Sequence, residues 1–184
     1  LGDVYKRQEM EPAMKPSECR LRPVTNDDAD LVIQLIDNVY REYGETMHLE
    51  QADRDLQNLQ GAYVERGGSF VVLEQDHEIV GCHATLPVDP AAKLGTLRRL
   101  YLAPKLRGQG WGDVLMNWAL DWALQAGWDR IEFWSDTRFT RAHQFFRRFQ
   151  FVKTGVIREM QDSYEPYSEY QYVWSRSYDE TQPQ

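Results

Sequence analysis

The sequence is poor in cysteine, in basic residues and in long apolar runs, and each shortage excludes a class of protein. Its 184 residues include only Cys19 and Cys82, too few for a disulfide framework, so we expect a reducing compartment. No apolar stretch approaches the about 18 residues that a membrane span needs, and none resembles a secretion signal. Lysine and arginine number 21 against 29 acidic residues, which argues against a broad phosphate-tracking surface. We therefore expect a cytoplasmic protein that binds neither nucleic acid nor membrane.

Two common nucleotide motifs and a metal-binding pattern are also missing. The G-x-G-x-x-G fingerprint fails because position 113 is aspartate, and there is no G-x-x-x-x-G-K-[ST] phosphate loop. Cys82 is next to His83, but no third ligand accompanies them at metal-like spacing. We expect neither a zinc site nor a cysteine nucleophile.

The sequence does contain enough apolar material for one folded domain. Hydrophobic residues make up 42% and aromatic residues 12%, so the chain can bury a core, and we place a single domain at residues 17–175.

The two ends lack the pattern of the rest. Residues 1–8 read LGDVYKRQ, and DVYKRQ resembles the translation of a transposon end used to build sequencing libraries, so we set these residues apart as an artefactual or disordered segment. The natural start is then Met10, Met14 or a residue that is missing; an ordinary flexible N-terminus is the alternative. Residues 176–184 lack apolar periodicity and are expected to form a flexible tail.

Hydrophobic periodicity predicts an α/β domain in the order strand, two helices, three strands, helix, strand, helix, two strands. Thr25 and Asp28 resemble a capping pair at the start of the first helix, and Gly44 can end it. The predicted strands are residues 19–24, 69–74, 79–86, 96–104, 131–134, 149–153 and 169–174, and the predicted later helices are 53–65, 112–126 and 140–148.

A glycine-rich segment connects one of these strands to the helix that follows. Arg107–Gly112 reads RGQGWG, and its three glycines remove Cβ atoms where the backbone turns, so successive N–H groups can point at a ligand. The helix adds unpaired N–H groups and the positive end of its dipole. The segment therefore predicts a pyrophosphate-binding loop that needs few basic side chains.

The sequence around this loop resembles a known family. The run L-Y-L-x-P-x-x-R-G-x-G-x-G from Leu100, followed by A-x-x-F-F-x-x-F-x-F from Ala142, is similar to the GNAT superfamily of acetyl-CoA-dependent N-acetyltransferases. The resemblance implies a mixed, mostly antiparallel sheet flanked by helices, with a splayed central strand. It also implies acetyl-CoA as cosubstrate and direct transfer of acetyl to a primary amine of a small molecule or peptide in a ternary complex. A homodimer is left open.

The resemblance assigns roles to individual positions. The Leu102 N–H corresponds to the donor that stabilises the thioester oxygen, where charge develops during attack. The residues that correspond to the cofactor-binding positions are Leu100, Leu102, Arg107, Gly108, Gln109, Gly110, Trp111, Gly112 and Phe146.

The sequence departs from the family pattern at the proton-transfer positions. Phe146 replaces the tyrosine that serves the thiolate in many members and has no proton to give; it can pack against the cofactor instead. His143, one turn earlier, is an alternative acid, and four tyrosines near the C-terminal strand offer further hydroxyls. For the base, Thr96 replaces a common carboxylate. Glu132 is the candidate we favour and His83 a third option.

Two kinds of acceptor are compatible with the sequence. Arg138 and Arg141 can bind a substrate carboxylate or the 3′-phosphate of CoA, which favours an amino acid or a peptide terminus, whereas the overall negative charge favours a cationic amine. We expect the acceptor pocket to be lined by residues 30–65 and 158–169. The alternative functions are an inactive CoA-binding sensor and an interaction domain without a nucleotide ligand.

Overall fold

The computed structural model describes residues 18–176, so the expected N-terminal segment and all but Arg176 of the expected tail lie outside it. Within that range seven strands form one sheet. The strands are β1 Arg20–Pro23, β2 Ser69–Gln75, β3 Glu78–Asp89, β4 Leu94–Leu102, β5 Arg130–Asp136, β6 Val152–Met160 and β7 Tyr167–Ser175. The α-helices are α1 Ala29–Arg41, α2 Trp111–Gln125 and α3 Thr140–Arg148. None of these helices is both long and apolar enough to cross a membrane.

The sheet has the order β1-β2-β3-β4-β5-β7-β6. Its neighbouring strands are antiparallel except β4 and β5, which pair in parallel. The expected class of mixed, mostly antiparallel sheet flanked by helices is therefore confirmed.

The helices cover both faces of the sheet. Cys82 and Ala84 of β3 belong to the same buried cluster as Val32 and Ile36 of α1. His83 lies between them, and its Nδ1 is 3.0 Å from the Leu115 carbonyl oxygen of α2. Because successive side chains of a strand point to opposite faces, α1 and α2 lie on opposite sides. The α3 helix shares a core with α2 and β5.

The predicted capping pair is present at the first helix. The Thr25 N–H donates to the Asp28 carboxylate at 2.8 Å, and Arg22 holds the same carboxylate. A short 3₁₀ turn at Asn26–Asp28 leads into α1. Gly44 has φ +70°, the left-handed conformation that glycine adopts readily after a helix.

Two predicted elements differ from the structure. The expected helix at residues 53–65 is divided into a 3₁₀ turn, Arg54–Gln57, and a π-helical turn, Gln60–Val64. Between them Asn58 accepts the Gly61 N–H through its side chain at 2.9 Å, a local bond that competes with continuous helix. The expected strand at 149–153 begins only at Val152, because the residues before it close the end of α3: the Phe151 N–H donates to the Phe146 carbonyl, and Gln150 has φ +64°.

Candidate functional site

An opening between β4 and β5 forms the centre of the site. The two strands pair at Leu94 with Arg130 and at Gly95 with Ile131, the pairs at the start of each strand, and beyond them a cavity of about 150 Å³ separates the strands. At this paired end Gly95 leaves room for the ring of Trp128, which comes just before β5, since a Cβ at Gly95 would lie 2.0 Å from that ring. The expected splayed strand is therefore β4.

A β-bulge in β4 accompanies the opening. The register between β3 and β4 shifts between Cys82 and Ala84, opposite Arg99, whose φ is +58°. Bulges turn backbone groups out of the regular ladder and are frequent beside active sites.

The cavity has walls on both sides of the sheet. On the α2 and α3 side it is lined by His83, Leu97, Met116, Ala142 and Phe146. On the α1 side its lining includes Tyr40, Glu45, Asp53, Arg99, Tyr167 and Glu169. The opening thus connects an apolar wall with a charged one.

The glycine-rich segment has the geometry of an anion-binding loop. Gly108 and Gly110 have φ of +75° and +85°, and a Cβ at either would meet no atom within 4 Å, so glycine is required by conformation and not by crowding. The Val114 N–H donates to the Gly110 carbonyl, which leaves the amides of residues 111–113 without an intrahelical acceptor. These amides are available to an anion at the start of α2.

Arg107 braces this loop. Its guanidinium makes two bonds to the Glu42 carboxylate at 2.7 and 2.8 Å, and its Nε donates to the Leu102 carbonyl at 3.3 Å. Its own N–H donates to the Pro104 carbonyl. Arg107 therefore joins the loop to β4 and to the end of α1, with its amide already engaged.

Leu102 and Leu100 lie on the strand beside the opening. The Ala103 N–H donates to the Val80 carbonyl of β3 at 2.8 Å, and successive N–H groups of a strand point in opposite directions. The Leu102 N–H consequently points away from β3, to the side of β4 on which β5 lies, although Leu102 is not among the residues that line the cavity. Leu100 lines the cavity.

A buried ion-pair network, which the sequence analysis missed, supports the bulge. Arg99 donates to Asp53 at 2.8 Å and to Asp55 at 2.5 Å, and the Tyr40 hydroxyl donates to Asp53. Burial by itself raises the pKa of Asp55, but the charge and hydrogen bonds of Arg99, with smaller contributions from Arg98 and Tyr63, together outweigh burial and the pKa is lowered. One feature of the sequence indicated this network: Arg99 follows Arg98 directly, in a strand where polar and apolar residues otherwise alternate.

Phe146 and His143 both lie on α3, next to β5. Phe146 is buried, lines the cavity and packs edge-to-face on Phe133 with ring centroids 4.8 Å apart. The His143 Nε2 is 3.0 Å from the Asp136 carbonyl oxygen and 3.3 Å from the Ser135 Oγ. Burial lowers the pKa of His143. His143 thus reaches the cavity through Ser135, which lines it.

The candidate bases differ in their access to the cavity. Glu132 pairs with Arg130 at 2.6 Å and lies outside the linings of this cavity and of the adjoining one. His83 lines the cavity, and burial lowers its pKa to about 4. Glu169 of β7, which was not a candidate, lines both cavities, and burial raises its pKa although Arg158 pairs with it.

The adjoining cavity encloses about 300 Å³ on the α1 side of the sheet. Residues from both segments that the sequence analysis expected around the acceptor contribute to its wall. They are Tyr40, Ala52 and Asp53 from the first segment and Arg158, Met160, Asp162, Tyr167 and Glu169 from the second. Thr96 also lines it.

Arg138, just before α3, and Arg141, in the first turn of α3, are arranged differently. Arg138 pairs with Asp136 and with Glu45, each at 2.5 Å, so the forked contact expected for a ligand is made within the protein. Arg141 is exposed.

Burial raises the pKa of the Cys82 thiol to about 12, and the thiol donates to the Arg99 carbonyl. Among residues 18–176 no three potential metal ligands are grouped.

Comparisons with known proteins agree on one family. Residues 33–151 match the profile of the Acetyltransferase (GNAT) family. The chain is 28% identical to the uncharacterized N-acetyltransferase YjgM of Escherichia coli over 62% of this chain and 71% of that protein. It is also 28% identical to the aminoalkylphosphonate N-acetyltransferase of Salmonella typhimurium, over 71% and 82% of the two chains. The fold matches an acetyltransferase structure from Streptococcus agalactiae with a TM-score of 0.73 and 19% identity, over 88% of this chain and 99% of the other.

Proposed function

Because the chain belongs to the acetyltransferase (GNAT) family, we propose that this acetyltransferase moves the acetyl group of acetyl-CoA to a primary amine of a small molecule or peptide. The amine attacks the thioester directly in a ternary complex. The Salmonella relative is named for aminoalkylphosphonates, which are small amines, and this favours a small-molecule acceptor.

The observation that carries the proposal is the opening between β4 and β5. It joins the apolar wall on the α2 and α3 side to the charged wall on the α1 side. A thioester approaching from the first side and an amine approaching from the second would meet within the sheet. Holding two reactants in this way removes much of the entropic barrier to their reaction.

The pyrophosphate of CoA fits the glycine-rich loop. Positive φ at Gly108 and Gly110 turns the backbone there, and the free amides at the start of α2 offer donors with the positive end of the helix dipole behind them. Gln109, Trp111 and Gly112 contribute backbone groups to the same loop, and Arg107 holds it in place through Glu42.

The strand beside the opening would bind the pantetheine arm and polarise the thioester. In this proposal Leu100 and Leu102 present backbone groups to the arm, and the Leu102 N–H is the donor to the thioester carbonyl oxygen. A fixed donor stabilises the charge that develops there without reorganising. Phe146 packs against the cofactor from α3.

Glu169 is the carboxylate that we assign as proton acceptor, in place of Glu132. An alkylamine with a pKa of about 10.4 is mostly protonated near neutral pH, so a base must take its proton before or during attack. Each of the two carboxylates is paired with an arginine, so access decides between them: Glu169 lines both cavities, whereas Glu132 lies outside them.

His143 is proposed as the proton source for the departing thiolate. Its Nε2 faces the Ser135 hydroxyl, and Ser135 lines the cavity. The hydroxyl can give its proton to the thiolate and recover one from the protonated form of His143, which is left as a neutral imidazole. Because burial lowers the pKa of His143, this protonated form is the minor one near neutral pH. The inactive CoA-binding alternative depended on Phe146 and Thr96 replacing catalytic residue types, and Glu169 and His143 supply those two functions from other positions.

Turnover is the test of this function. The purified protein is incubated with acetyl-CoA and a panel of small primary amines, and free thiol and acetylated amine are measured. We expect thiol release that depends on the amine and matches the product in amount. Tight CoA binding without turnover on any amine would support the inactive module instead.

A further inference from the structure

The charges that line the 300 Å³ acceptor-side cavity are mostly neutralised within the protein. Asp53 is paired with Arg99 at 2.8 Å, and Glu169 is paired with Arg158 at 2.5 Å. A pair that is already satisfied has little electrostatic attraction left for a ligand. The recognition of a charged acceptor therefore depends on the remaining charged residues of this wall.

Two charged residues remain, and they have opposite sign. Arg98 lines both cavities and is exposed, and it has no ion-pair partner among residues 18–176. Asp162 lines the acceptor-side cavity and accepts a hydrogen bond from the Tyr167 hydroxyl at 3.0 Å, with no cationic partner in the same described range. The cavity thus offers one guanidinium and one carboxylate that are in no ion pair within this range, although the Arg98 charge also helps to lower the pKa of Asp55.

The bulge of β4 also helps to fix the position of Arg98. It precedes Arg99, whose guanidinium is fixed by Asp53 and Asp55, so the backbone that carries Arg98 is held in place. An arginine presents several N–H donors in a plane that matches carboxylate and phosphate oxygens. Arg98 is therefore suited to hold an anion at the acceptor side of the opening.

We propose that the acceptor is a primary amine that also carries an anionic group, a carboxylate or a phosphonate, and that Arg98 binds this group. This inference rests on the proposed acetyl transfer. Asp162 attracts the ammonium end of the same molecule, and Glu169 lies in the same cavity to receive its proton.

A polycationic acceptor fits this wall poorly. The charged residues that line the acceptor-side cavity are three acids, Asp53, Asp162 and Glu169, and three arginines, Arg98, Arg99 and Arg158. The wall is therefore neutral overall although the protein carries a net charge of −8. A polyamine would leave Arg98 unpaired against a cationic ligand, and such like-charge contacts oppose binding.

Matched acceptors test the proposal. Acetylation rates are compared for β-alanine against β-alaninamide and for 2-aminoethylphosphonate against ethanolamine, with saturating acetyl-CoA. The two members of each pair carry the amine on a similar carbon chain, and only one of them carries an anionic group. We expect kcat/KM to be at least about tenfold higher for an anionic member, as a charge-assisted hydrogen bond provides; the preferred anion separates carboxylate from phosphonate recognition.

Variants of Arg98 identify the residue responsible. Arg98→Gln should remove the preference by raising KM for the anionic acceptor about tenfold or more, with little change for its neutral partner and none in the KM of acetyl-CoA. Arg98→Lys should retain part of the preference. Arg66→Gln is the control, because Arg66 is exposed in the turn before β2 and lines neither cavity; it should behave as the parent does.

The outcomes separate the two proposals. Turnover that favours the neutral amines or a polyamine, or an anion preference that survives Arg98→Gln, would overturn the assignment to Arg98 and leave acetyl transfer intact. The absence of turnover with every amine would instead contradict the proposed function on which this inference rests.

Discussion

The guanidinium of Arg99 lies 2.8 Å from a carboxylate oxygen of Asp53, and this contact connects the bulge of β4 to the segment between α1 and β2. Both side chains are almost completely buried. The bulge beside the opening and the wall of the acceptor-side cavity are therefore parts of one polar network. Its members influence stability as well as the shape of the site.

Removal of one partner from this network should be costly. Asp53→Asn leaves the buried Arg99 with Asp55 as its remaining carboxylate partner, so the expected cost is that of losing a hydrogen bond between charged groups, about 1.5–3 kcal/mol of unfolding free energy. Urea unfolding followed by tryptophan fluorescence measures the loss. Asp129→Asn, which disrupts exposed pairs with Lys93 and Arg176, should cost less than about 1 kcal/mol. Equal losses in the two variants would contradict the role given to Arg99.

Glu169→Gln should lower kcat by a factor of about 100 or more, because general-base catalysis contributes at least that much in typical enzymes. Glu132→Gln is its counterpart on the neighbouring strand and should retain most of the activity. Steady-state kinetics with one amine acceptor compares them. A larger loss of kcat in Glu132→Gln than in Glu169→Gln would restore Glu132 as the base.

The pH dependence of the rate gives a separate test of Glu169. A carboxyl group accepts a proton only when it is ionised, and burial raises the pKa of Glu169. The rate should therefore fall as pH is lowered through a pKa above the ordinary carboxylate range of about 4.3. In Glu169→Gln this acidic limb should be absent; its persistence there would show that another group produces it.

His83 should make stability depend on pH. Its folded-state pKa is about 4 because of burial, below the about 6.5 of an unfolded histidine. Between these two pH values the unfolded chain binds more protons than the folded chain does. The stabilising contribution of neutral His83 is therefore fully present above about pH 6.5 and is lost as pH falls towards 4. The full loss is on the order of 3 kcal/mol.

The measurement compares the free energy of unfolding of the parent and of His83→Asn at pH 7 and pH 5. The variant should lose less stability between the two values than the parent does. His77→Asn serves as control, since His77 lies in the exposed turn between β2 and β3. A parent and a His83→Asn variant with the same pH dependence would exclude this contribution.

The strand and helix order was predictable because local signals agree with the tertiary structure. The alternation in IEFW places Ile131 and Phe133 in the core. Leu35 and Val39, which recur at helical spacing in the first predicted helix, are likewise buried in α1, whereas Leu31 of the same spacing is exposed. The backbone conformation of the glycine-rich loop was predictable too, since Gly108 and Gly110 both have positive φ, which glycine adopts readily. These features depend on residues close together in the chain.

The charged wall of the site was not predictable in the same way. Glu169 and Arg98 face one cavity although they are far apart in sequence, and no periodicity reveals that relation. Asp53 and Asp55 read as residues of a regular helix, whereas the structure uses them to hold Arg99 and divides the helix. Glu132 alternates as expected on β5, but its access to the cavity depended on where that strand lies in the sheet.

CoA binding by Gly110→Val tests the central claim most directly. Gly110 has φ +85°, and Gly127 at the end of α2 is its matched control, with φ +78° and likewise no atom within 4 Å of an added Cβ. Both substitutions strain the backbone equally, but only the first distorts the proposed pyrophosphate loop. In calorimetric titrations we predict that Gly110→Val weakens CoA binding at least about tenfold, as the loss of charge-assisted bonds does, while Gly127→Val binds CoA as the parent does. CoA affinity unchanged in Gly110→Val would contradict the assignment of this loop.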